Sequence, residues 1–251
     1  MKAALLRVGI DLGCGGFISP LFDDDTFELI YIPEPYPFSK MNSNSLYTYS
    51  TFMGRTGKLL HEYFDNQNHK NKMTSKIIHV DPDFEGFTYG DPCFNKARLA
   101  QLNEGDYLIF YAGLKRKAEK SHFLYLVGFF EIQNAIAVKD LKDRKDLLKY
   151  YSTNFHVKHE EIFLRDVTYQ KNRGLKLVKG SERSRLFKKA YKLTELKPYK
   201  KLKHPVNVLS KDMQKIFGNL NGRIFLGRNA LRMIEDPRTV KRIKAYIDGL
   251  E

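Results

Sequence analysis

Residues 105–132, with the sequence GDYLIFYAGLKRKAEKSHFLYLVGFFEI, constrain the fold more than any other stretch of the chain. Two apolar runs, 107–112 and 123–132, are rich in aromatic and β-branched residues and are separated by the charged segment 115–120. This composition is typical of two fully buried strands, and each run is too short to span a membrane as a helix. Gly128 interrupts the second run, where a glycine usually marks a bulge or a sharp bend. The stretch therefore predicts a bent, buried β-hairpin of the kind that a small barrel needs at its centre.

The formal charge changes sign across this hairpin. Residues 1–110 carry 10 Lys and Arg against 14 Asp and Glu, a net of −4, whereas residues 111–251 carry 33 against 15, a net of +18. A basic surface can also serve only solubility or heat tolerance. Because the excess charge of this chain is confined to one half, we favour a polyanionic partner, with nucleic acid first.

Cysteine content and hydropathy predict a soluble, cytoplasmic protein. Two cysteines in 251 residues, Cys14 and Cys93, argue against a disulfide scaffold, and their spacing matches no metal site. Arg7 interrupts the early apolar run, so the N-terminus does not have the pattern of a signal peptide. No apolar stretch approaches the roughly 18 residues of a membrane span, and we expect no membrane partner.

A short predicted strand ends in the sequence HVDPD at positions 79–83. Strand alternation places His79 and Asp81 on one face, and the proline turns the chain so that Asp83 stays near. One imidazole and two carboxylates at this spacing suit cation binding or general acid–base catalysis. The alternative is a turn whose carboxylates cap backbone N–H groups. Together with Asp11, which follows the first predicted strand, these three residues form the candidate catalytic set.

A pocket is predicted from a glycine-rich loop and from aromatic residues. The loop GCGG at 13–16 lacks the spacing of a dinucleotide fingerprint and the Lys-Ser/Thr of a P-loop. It is interpreted either as a place where the backbone approaches a ligand closely or as a plain turn. Extracting a base from a duplex requires an aromatic or apolar slot with hydrogen-bonding edges. The candidate pocket residues are Gly15, Gly16, Ser19, Tyr49, Tyr89 and Phe110.

The segment 162–194 carries most of the predicted nucleic-acid contacts. Its Arg and Lys residues around a Gly-Ser turn can clamp phosphates, although a strand and a helix with snorkelling lysines would give the same pattern. The candidate nucleic-acid-binding residues are Arg7, Lys176, Lys179, Arg183, Arg185, Lys188 and Lys189. His156 and His159 have ligand spacing on a helix, but no carboxylate motif surrounds them. They are interpreted as ordinary loop histidines, and no metal ligand is assigned.

Several short motifs follow one another in a characteristic order. They are RVGID (7–11), GGFISP (15–20), IPE (32–34), HVDPD (79–83), GD (105–106) leading into FYAG (110–113), and Gly128 in the next strand. This order, over most of residues 7–194, resembles the third of the nucleotide-modification-associated domain families. The resemblance implies a nucleotide or nucleic-acid context in a base-modification system and names no reaction. The hairpin pattern is also similar to PUA-like barrels, including the EVE and ASCH groups, which bind RNA or modified bases.

These observations predict an α+β protein with a mixed, largely antiparallel sheet curled into a PUA-like barrel and with peripheral helices. We expect residues 1–197 to form the barrel-like core domain. Residues 198–251 are expected to form a basic, helical C-terminal extension that packs on this core.

The expected function is nucleic-acid binding associated with base or nucleotide modification, in an acidic and histidine-lined pocket flanked by a basic surface. Protein partners from a modification system are a further expectation. Two alternatives stay open, and the sequence leaves enzymatic activity undecided. One is an enzyme acting on phosphodiesters or nucleotides with Mg²⁺ or Mn²⁺. The other is a non-catalytic subunit that docks on an acidic partner protein.

Overall fold

The computed structural model describes residues 1–14, 16–34, 46–64, 66–138, 144–168, 174–198, 205–220 and 231–251. The strands in these ranges are β1 (Ala3–Val8), β2 (Ser19–Pro20), β3 (Ile32–Pro33), β4 (Ile78–His79), β5 (Thr88–Asp91), β6 (Tyr107–Lys115), β7 (Phe123–Val138), β8 (Leu175–Gly180), β9 (Arg185–Lys192), β10 (Thr194–Lys197), β11 (Val206–Leu209) and β12 (Arg232–Ile234). The α-helices are α1 (Gln67–Met73), α2 (Arg144–Tyr151), α3 (Phe155–Lys158), α4 (Glu160–Thr168), α5 (Lys211–Phe217) and α6 (Pro237–Asp248). Of the helices in these ranges, none is both long enough and apolar enough to cross a membrane.

Strands β6 and β7 form the central hairpin that their apolar runs predicted. All residues of β6 except the last are buried, and β7 pairs with it antiparallel. The register shifts between Phe110 and Tyr111, beside Gly128. A Cβ at Gly128 would lie 2.6 Å from the carbonyl oxygen of Arg185, closer than side-chain carbons ordinarily come. Glycine is therefore required for β9 to approach β7 here, and the predicted irregularity at Gly128 is confirmed.

The main sheet is mixed and largely antiparallel. Its strand order is β12-β1-β6-β7-β8-β5, with β1 parallel to β6 and the other neighbours antiparallel. β2 pairs with β6 beyond the end of β1, and β9 pairs with the first half of β7. The predicted α+β class is confirmed. Among the strands that the structure describes, pairing leaves β12 and β5 as open edges, and no closed barrel is found.

The sheet carries a hydrophobic cluster on each face. Because strand residues alternate between faces, Leu6 and Leu108 join the cluster that includes segment 27–31, whereas Leu5 and Ile109 join the cluster of α5 and α6. A third cluster joins α2, α3 and α4 to β8 and to the end of β7. The first and third clusters bracket the region in which the candidate functional residues meet.

The C-terminal segment packs against the main sheet on one of these faces. β12 pairs with β1, and α6 follows Asp236, whose carboxylate accepts the N–H of Thr239 at 2.9 Å. Val240, Ile243 and Ile247 of α6 are buried in the second cluster. The domain boundary after residue 197 stays a prediction.

Two segments differ from what the sequence predicts. The pattern of residues 135–151 suggests a helix, but β7 continues to Val138 and α2 begins only at Arg144. Ile136 and Val138 alternate with alanine along β8, and pairing with that strand outweighs helix propensity. The run FNKARLAQL at 94–102 also suggests a helix, but the structure has a kinked 3₁₀ segment there, Phe94–Gln101.

Candidate functional site

The structure brings together three donor side chains, two from the predicted catalytic set and one from the histidine pair. His79 ends β4, Asp81 follows it, and His156 lies in α3. Nε2 of His79 lies 3.1 Å from Nε2 of His156, and Oδ2 of Asp81 lies 3.8 Å and 3.3 Å from these two nitrogens. Among the described residues, these side chains form a group that could hold a metal ion. We call this group the His79–Asp81–His156 centre.

Short local structures fix where the two rings meet. β4 pairs with β3 and so places His79 beside Glu34, the residue after β3. Asn154 caps α3, since its side chain accepts the N–H of His156 at 3.1 Å. The same side chain donates to Oγ1 of Thr88 at 3.2 Å and so ties the cap to β5. A strand pair therefore positions one imidazole and a capped helical turn positions the other.

A further carboxylate orients each histidine ring. Nδ1 of His79 donates to Oε2 of Glu34 at 2.8 Å, and Nδ1 of His156 donates to Oδ2 of Asp166 at 2.6 Å. Arg165 joins the two carboxylates, with Nη1 at 2.8 Å from Glu34 and Nε at 2.8 Å from Asp166. Because each Nδ1 faces a carboxylate, each Nε2 faces the centre.

Burial and contacts with opposite charges shift the pKa values of this group in opposite directions. Burial alone would lower the pKa of His156, but the hydrogen bonds and charges of Asp166 and Asp81 outweigh it and raise this pKa to about 10. Burial would raise the pKa values of the Glu34 and Asp166 carboxyls. The histidine that each contacts, together with Arg165, more than offsets this effect and lowers both pKa values. Glu34 and Asp166 are therefore ionised at neutral pH.

The two aspartates of the HVDPD motif have different environments. Oδ2 of Asp81 accepts the N–H of Gly90 at 2.9 Å, and its buried Oδ1 has no hydrogen-bond partner within the described residues. Oδ1 of Asp83 accepts the N–H groups of Glu85 and Gly86 at 3.0 and 3.1 Å. This is the turn-capping arrangement that the sequence offered as the alternative. Asp81 therefore belongs to the centre, whereas Asp83 stabilises the turn that follows it.

Asp11 and Arg7 contact each other at the end of β1. Nη2 of Arg7 lies 3.3 Å from Oδ2 of Asp11, and the N–H of Gly13 donates to Oδ1 of Asp11 at 2.9 Å. The structure does not group Asp11 with His79 and Asp81. A catalytic role for Asp11 and a nucleic-acid contact for Arg7 stay predictions.

Most of the predicted pocket residues contact other residues of the protein core. Gly15 lies outside the described residues, and a Cβ at Gly16 would lie 2.9 Å from the ring of His69. Oγ of Ser19 accepts the N–H of Ile30 at 3.1 Å. The aromatic members, Tyr49, Tyr89 and Phe110, are buried in the first hydrophobic cluster. Their role as pocket walls stays a prediction.

The predicted nucleic-acid-binding residues of segment 162–194 fall into two groups. Those engaged with the rest of the protein are Lys176 and Lys179, which donate to backbone carbonyls, Arg183, which pairs with acidic side chains, and Arg185, which lies over an aromatic ring. Lys176 is only 2 % exposed, so it is not accessible to a partner in this conformation. Lys188 and Lys189 are exposed on β9, so their side chains are accessible to phosphate groups in solution.

A cleft of about 560 Å³ is lined by residues next to the centre in sequence, whereas His79, Asp81 and His156 themselves are not among its lining residues. Ile78 and Phe155, the chain neighbours of His79 and His156, line it. The ring of Phe155 packs on that of His79, with 4.2 Å between their centroids. Other residues that line the cleft are Tyr47, Phe52, Arg55, Asp83, Lys158 and His159. Ile78 and Phe155 therefore lie between the cleft and the two imidazoles.

The sequence pattern identifies only part of this group. Glu34 stands in the IPE motif, which by itself indicates no role, and the surroundings of His156 in sequence are those of an ordinary loop histidine. Arg165 and Asp166 have no signal in the sequence, because Asp166 reaches His156 only through the turn between α3 and α4 and Arg165 contacts the group through Asp166 and Glu34. A carboxylate ten residues after a histidine has no periodic signature.

The fold and the site define an α+β protein with a buried centre of two histidines and one aspartate. Residues 2–221 match the model of the family described as nucleotide modification associated domain 3, and the chain belongs to that family. The resemblance drawn from the order of short motifs is confirmed, and the family associates the chain with nucleotide modification. Neither the curated proteins nor the solved structures contain a match to the chain. The likeness to PUA-like domains has no support from these comparisons.

Proposed function

We propose that the protein binds a nucleic acid and holds one base or nucleotide in the cleft, beside the His79–Asp81–His156 centre, for recognition or modification. One observation carries the proposal for a chain of this family: the cleft meets the centre across the ring of Phe155. The curling of the main sheet into a PUA-like barrel is proposed with it, and the register shift beside Gly128 supports that curvature.

The cleft offers the groups that a base requires. The rings of Tyr47 and Phe52 contact each other at 5.2 Å between centroids, and Tyr47 is 50 % exposed. Stacking on an aromatic ring contributes about 1–3 kcal/mol per base. Asp83 also lines the cleft, and its Oδ2 has no hydrogen-bond partner among the described residues. The cavity therefore has a ring for stacking, and a base that displaces the atoms covering the buried Oδ2 of Asp83 would find an acceptor for an N–H group there.

Positive charges border the cleft in positions suited to phosphates. Arg55, which donates to the carbonyl of Phe187, and the exposed Lys158 line it together with the carboxylates of Glu28, Asp83 and Glu85. β9 reaches the cleft through Leu186, two and three residues before the exposed Lys188 and Lys189. These charges support a path for the phosphate backbone along β9, with one base turned into the cleft.

Fluorescence anisotropy with labelled single-stranded DNA and RNA at increasing salt tests this proposal. We expect the logarithm of the binding constant to fall linearly with the logarithm of salt, by about 0.7 per phosphate contact. A Lys188→Glu, Lys189→Glu double variant should reduce this slope. Phe52→Ala should weaken binding about tenfold with the slope unchanged, because it removes stacking and no charge.

A matched double variant, Lys211→Glu with Lys215→Glu, controls for the change in net charge. Both residues are exposed on α5, which packs in the second cluster, whereas Phe52 and Leu186 of the cleft pack on the first. This control should retain binding. Equal losses in both double variants, or weak binding that ignores salt, would contradict the proposal.

A second candidate function is metal-dependent cleavage of phosphodiesters or nucleotides, which the donor set of the centre favours. It requires turnover of a chromogenic phosphodiester that disappears with a chelator. Turnover should also disappear in Asp81→Asn, which preserves the shape of the side chain, while circular dichroism stays unchanged. Turnover that survives both treatments would reject this candidate.

A further inference from the structure

We infer that the His79–Asp81–His156 centre binds one divalent first-row transition-metal ion, with Zn²⁺ and Fe²⁺ as the ions that its donors suit. The inference concerns an ion that the sequence analysis did not assign to any residue. It does not depend on nucleic-acid binding, because it is argued from the donor atoms and their immediate surroundings.

The spacing of the donors fits a single ion. With donor–metal distances of about 2.1 Å, separations of 3.1, 3.3 and 3.8 Å correspond to angles of about 95, 104 and 130° at the ion. One point can therefore lie at bonding distance from all three donors without any side chain moving far. Three protein ligands leave at least one position for water or substrate, as in catalytic zinc and iron sites.

The approach of the two histidines requires a positive charge between them. Each ring gives its Nδ1 proton to a carboxylate, so two neutral rings would face each other with lone pairs on Nε2 at 3.1 Å. Such a contact is repulsive unless a cation or one additional proton separates the rings. A metal ion and a shared proton are the two arrangements that the geometry allows, and they differ in a measurable way.

The surroundings of the rings match those of metal-bound histidines. Metal-ligating imidazoles almost always donate their second N–H to a carboxylate, a carbonyl or water, which fixes the ring and raises its basicity. Here both rings do so, through Glu34 and Asp166, and Arg165 holds both carboxylates. A buried pair of histidines held only for packing would not need two separate carboxylates.

The charge of the group also favours a divalent ion. Glu34, Asp81 and Asp166 carry three negative charges in a site where they are at most 3 % exposed, and Arg165 supplies one positive charge. Once an ion displaces the proton from His156 and both imidazoles are neutral, two negative charges are left within this group, equal to the charge of the proposed ion. The buried Oδ1 of Asp81, without a hydrogen-bond partner among the described residues, offers a further donor to the ion or to its water.

The donor types decide which ions fit. Two imidazole nitrogens and one carboxylate suit Zn²⁺, Fe²⁺ and their neighbours, whereas Mg²⁺ prefers oxygen ligands and keeps several waters. Two histidines and one carboxylate with open positions are the ligand set of both hydrolytic zinc sites and non-haem iron sites. These donors therefore disfavour Mg²⁺, one of the two ions, Mg²⁺ and Mn²⁺, that the sequence suggested for an enzyme acting on phosphodiesters or nucleotides.

Isothermal titration of the full chain, after treatment with a chelator and desalting, tests the inference. Zn²⁺, Fe²⁺ under anaerobic conditions, Mn²⁺ and Mg²⁺ are titrated separately, and Co²⁺ is added as a visible-absorption probe. We expect one Zn²⁺ or Fe²⁺ per chain and no saturable Mg²⁺ binding. Intense Co²⁺ bands would indicate a four-coordinate, zinc-like site, and weak bands a five- or six-coordinate, iron-like site.

Variants separate the ligands from their supports. His79→Gln and His156→Gln should weaken binding at least 100-fold, and Glu34→Gln about 10- to 100-fold, the usual effect of changing an outer carboxylate. His61→Gln is the matched control, since this half-buried histidine is not a member of the centre and its Nδ1 hydrogen-bonds to the carbonyl of Tyr49 at 3.2 Å; this variant should bind the ion as the unchanged chain does.

Two results would overturn the inference, and both can be read without any assay of activity. The first is a folded, chelator-treated chain that binds no ion stoichiometrically, which would leave the shared proton as the explanation of the short contact. The second is unchanged affinity in His79→Gln and His156→Gln. Circular dichroism of every variant excludes misfolding as the cause of lost binding.

Discussion

At the scale of single residues, backbone contacts decide which carboxylate oxygens of the HVDPD motif are available for chemistry. Asp83 uses Oδ1 to cap two N–H groups, and its Oδ2 has no hydrogen-bond partner in the described part of the chain. Asp81 uses Oδ2 toward Gly90 and the histidines. The motif thus supplies one carboxylate to the centre and one to the cleft, although the sequence places both in the same turn.

Asp83→Asn should abolish the base preference of the cleft. The two N–H groups on Oδ1 hold the amide oxygen of asparagine in that place, so its NH₂ group replaces the acceptor Oδ2. The unchanged chain should prefer GMP over IMP, which lacks the exocyclic amino group, and the variant should lose this preference because its NH₂ group cannot accept from that amino group. A hydrogen bond to a charged group contributes about 1.5–3 kcal/mol, so we expect the preference of the unchanged chain to be about 10- to 100-fold.

Titration of both nucleotides against the two proteins measures this preference. Asp23→Asn, at an exposed carboxylate outside the cleft lining, is the control and should leave the GMP preference intact. Equal affinity of the unchanged chain for GMP and IMP would show that Asp83 does not contact the base.

His159 should make folding sensitive to mild acid. Burial, followed by the positive charges of Lys158 and Arg144, lowers its pKa to about 4, against about 6.5 in an unfolded chain. Between these values the unfolded chain binds a proton that the folded chain does not. The free energy of unfolding therefore falls as pH falls through this window, and the contribution of His159 is complete above about pH 6.5.

Urea unfolding at about pH 7.5 and about pH 5 measures this effect. Both pH values lie above the ordinary pKa values of Asp and Glu side chains, so most carboxylates stay ionised. His159→Gln removes the titrating group. The free energy of unfolding of this variant should therefore fall less between the two pH values than that of the unchanged chain. Equal losses in the two proteins would assign the acid sensitivity to other groups.

At the scale of elements, the parts that sequence patterns predicted are those whose pattern is continuous. The central hairpin follows from two uninterrupted apolar runs, and the irregularity at Gly128 follows from a glycine inside the second. His79 and Asp81 meet, as strand alternation suggested. The end of β7 was missed because residues 135–138 become strand only by pairing with β8, a contact that a local pattern does not contain.

The rest of the candidate site could not be predicted because it depends on the junction of α3 and α4. His156 faces His79 only when Asn154 caps α3 against Thr88, and Asp166 reaches His156 from the following helix. These contacts join segments 77 and 10 residues apart in sequence. Periodicity carries information about neighbours three or four residues away and none about such pairs.

At the scale of the whole molecule, both halves of the chain build the centre. Glu34, His79 and Asp81 come from the acidic first half, and His156, Arg165 and Asp166 come from the basic second half. The acidic first half therefore does not supply all residues of the site, because the basic second half contributes to it as well. The described parts of the C-terminal segment pack on the main sheet, since β12 pairs with β1 and α6 covers one face of that sheet.

Ile243→Ala in α6 should therefore weaken the main sheet as well as the tail. Ile243 is completely buried with Leu5 and Ile109 of β1 and β6, and truncating such a side chain costs about 2–5 kcal/mol. Hydrogen exchange should speed up together in α6 and in β6, because a shared core unfolds as one cooperative unit. Lys241→Ala, at an exposed position on the same helix, should change neither. Faster exchange confined to α6 would instead mean that the C-terminal segment opens alone, without the main sheet.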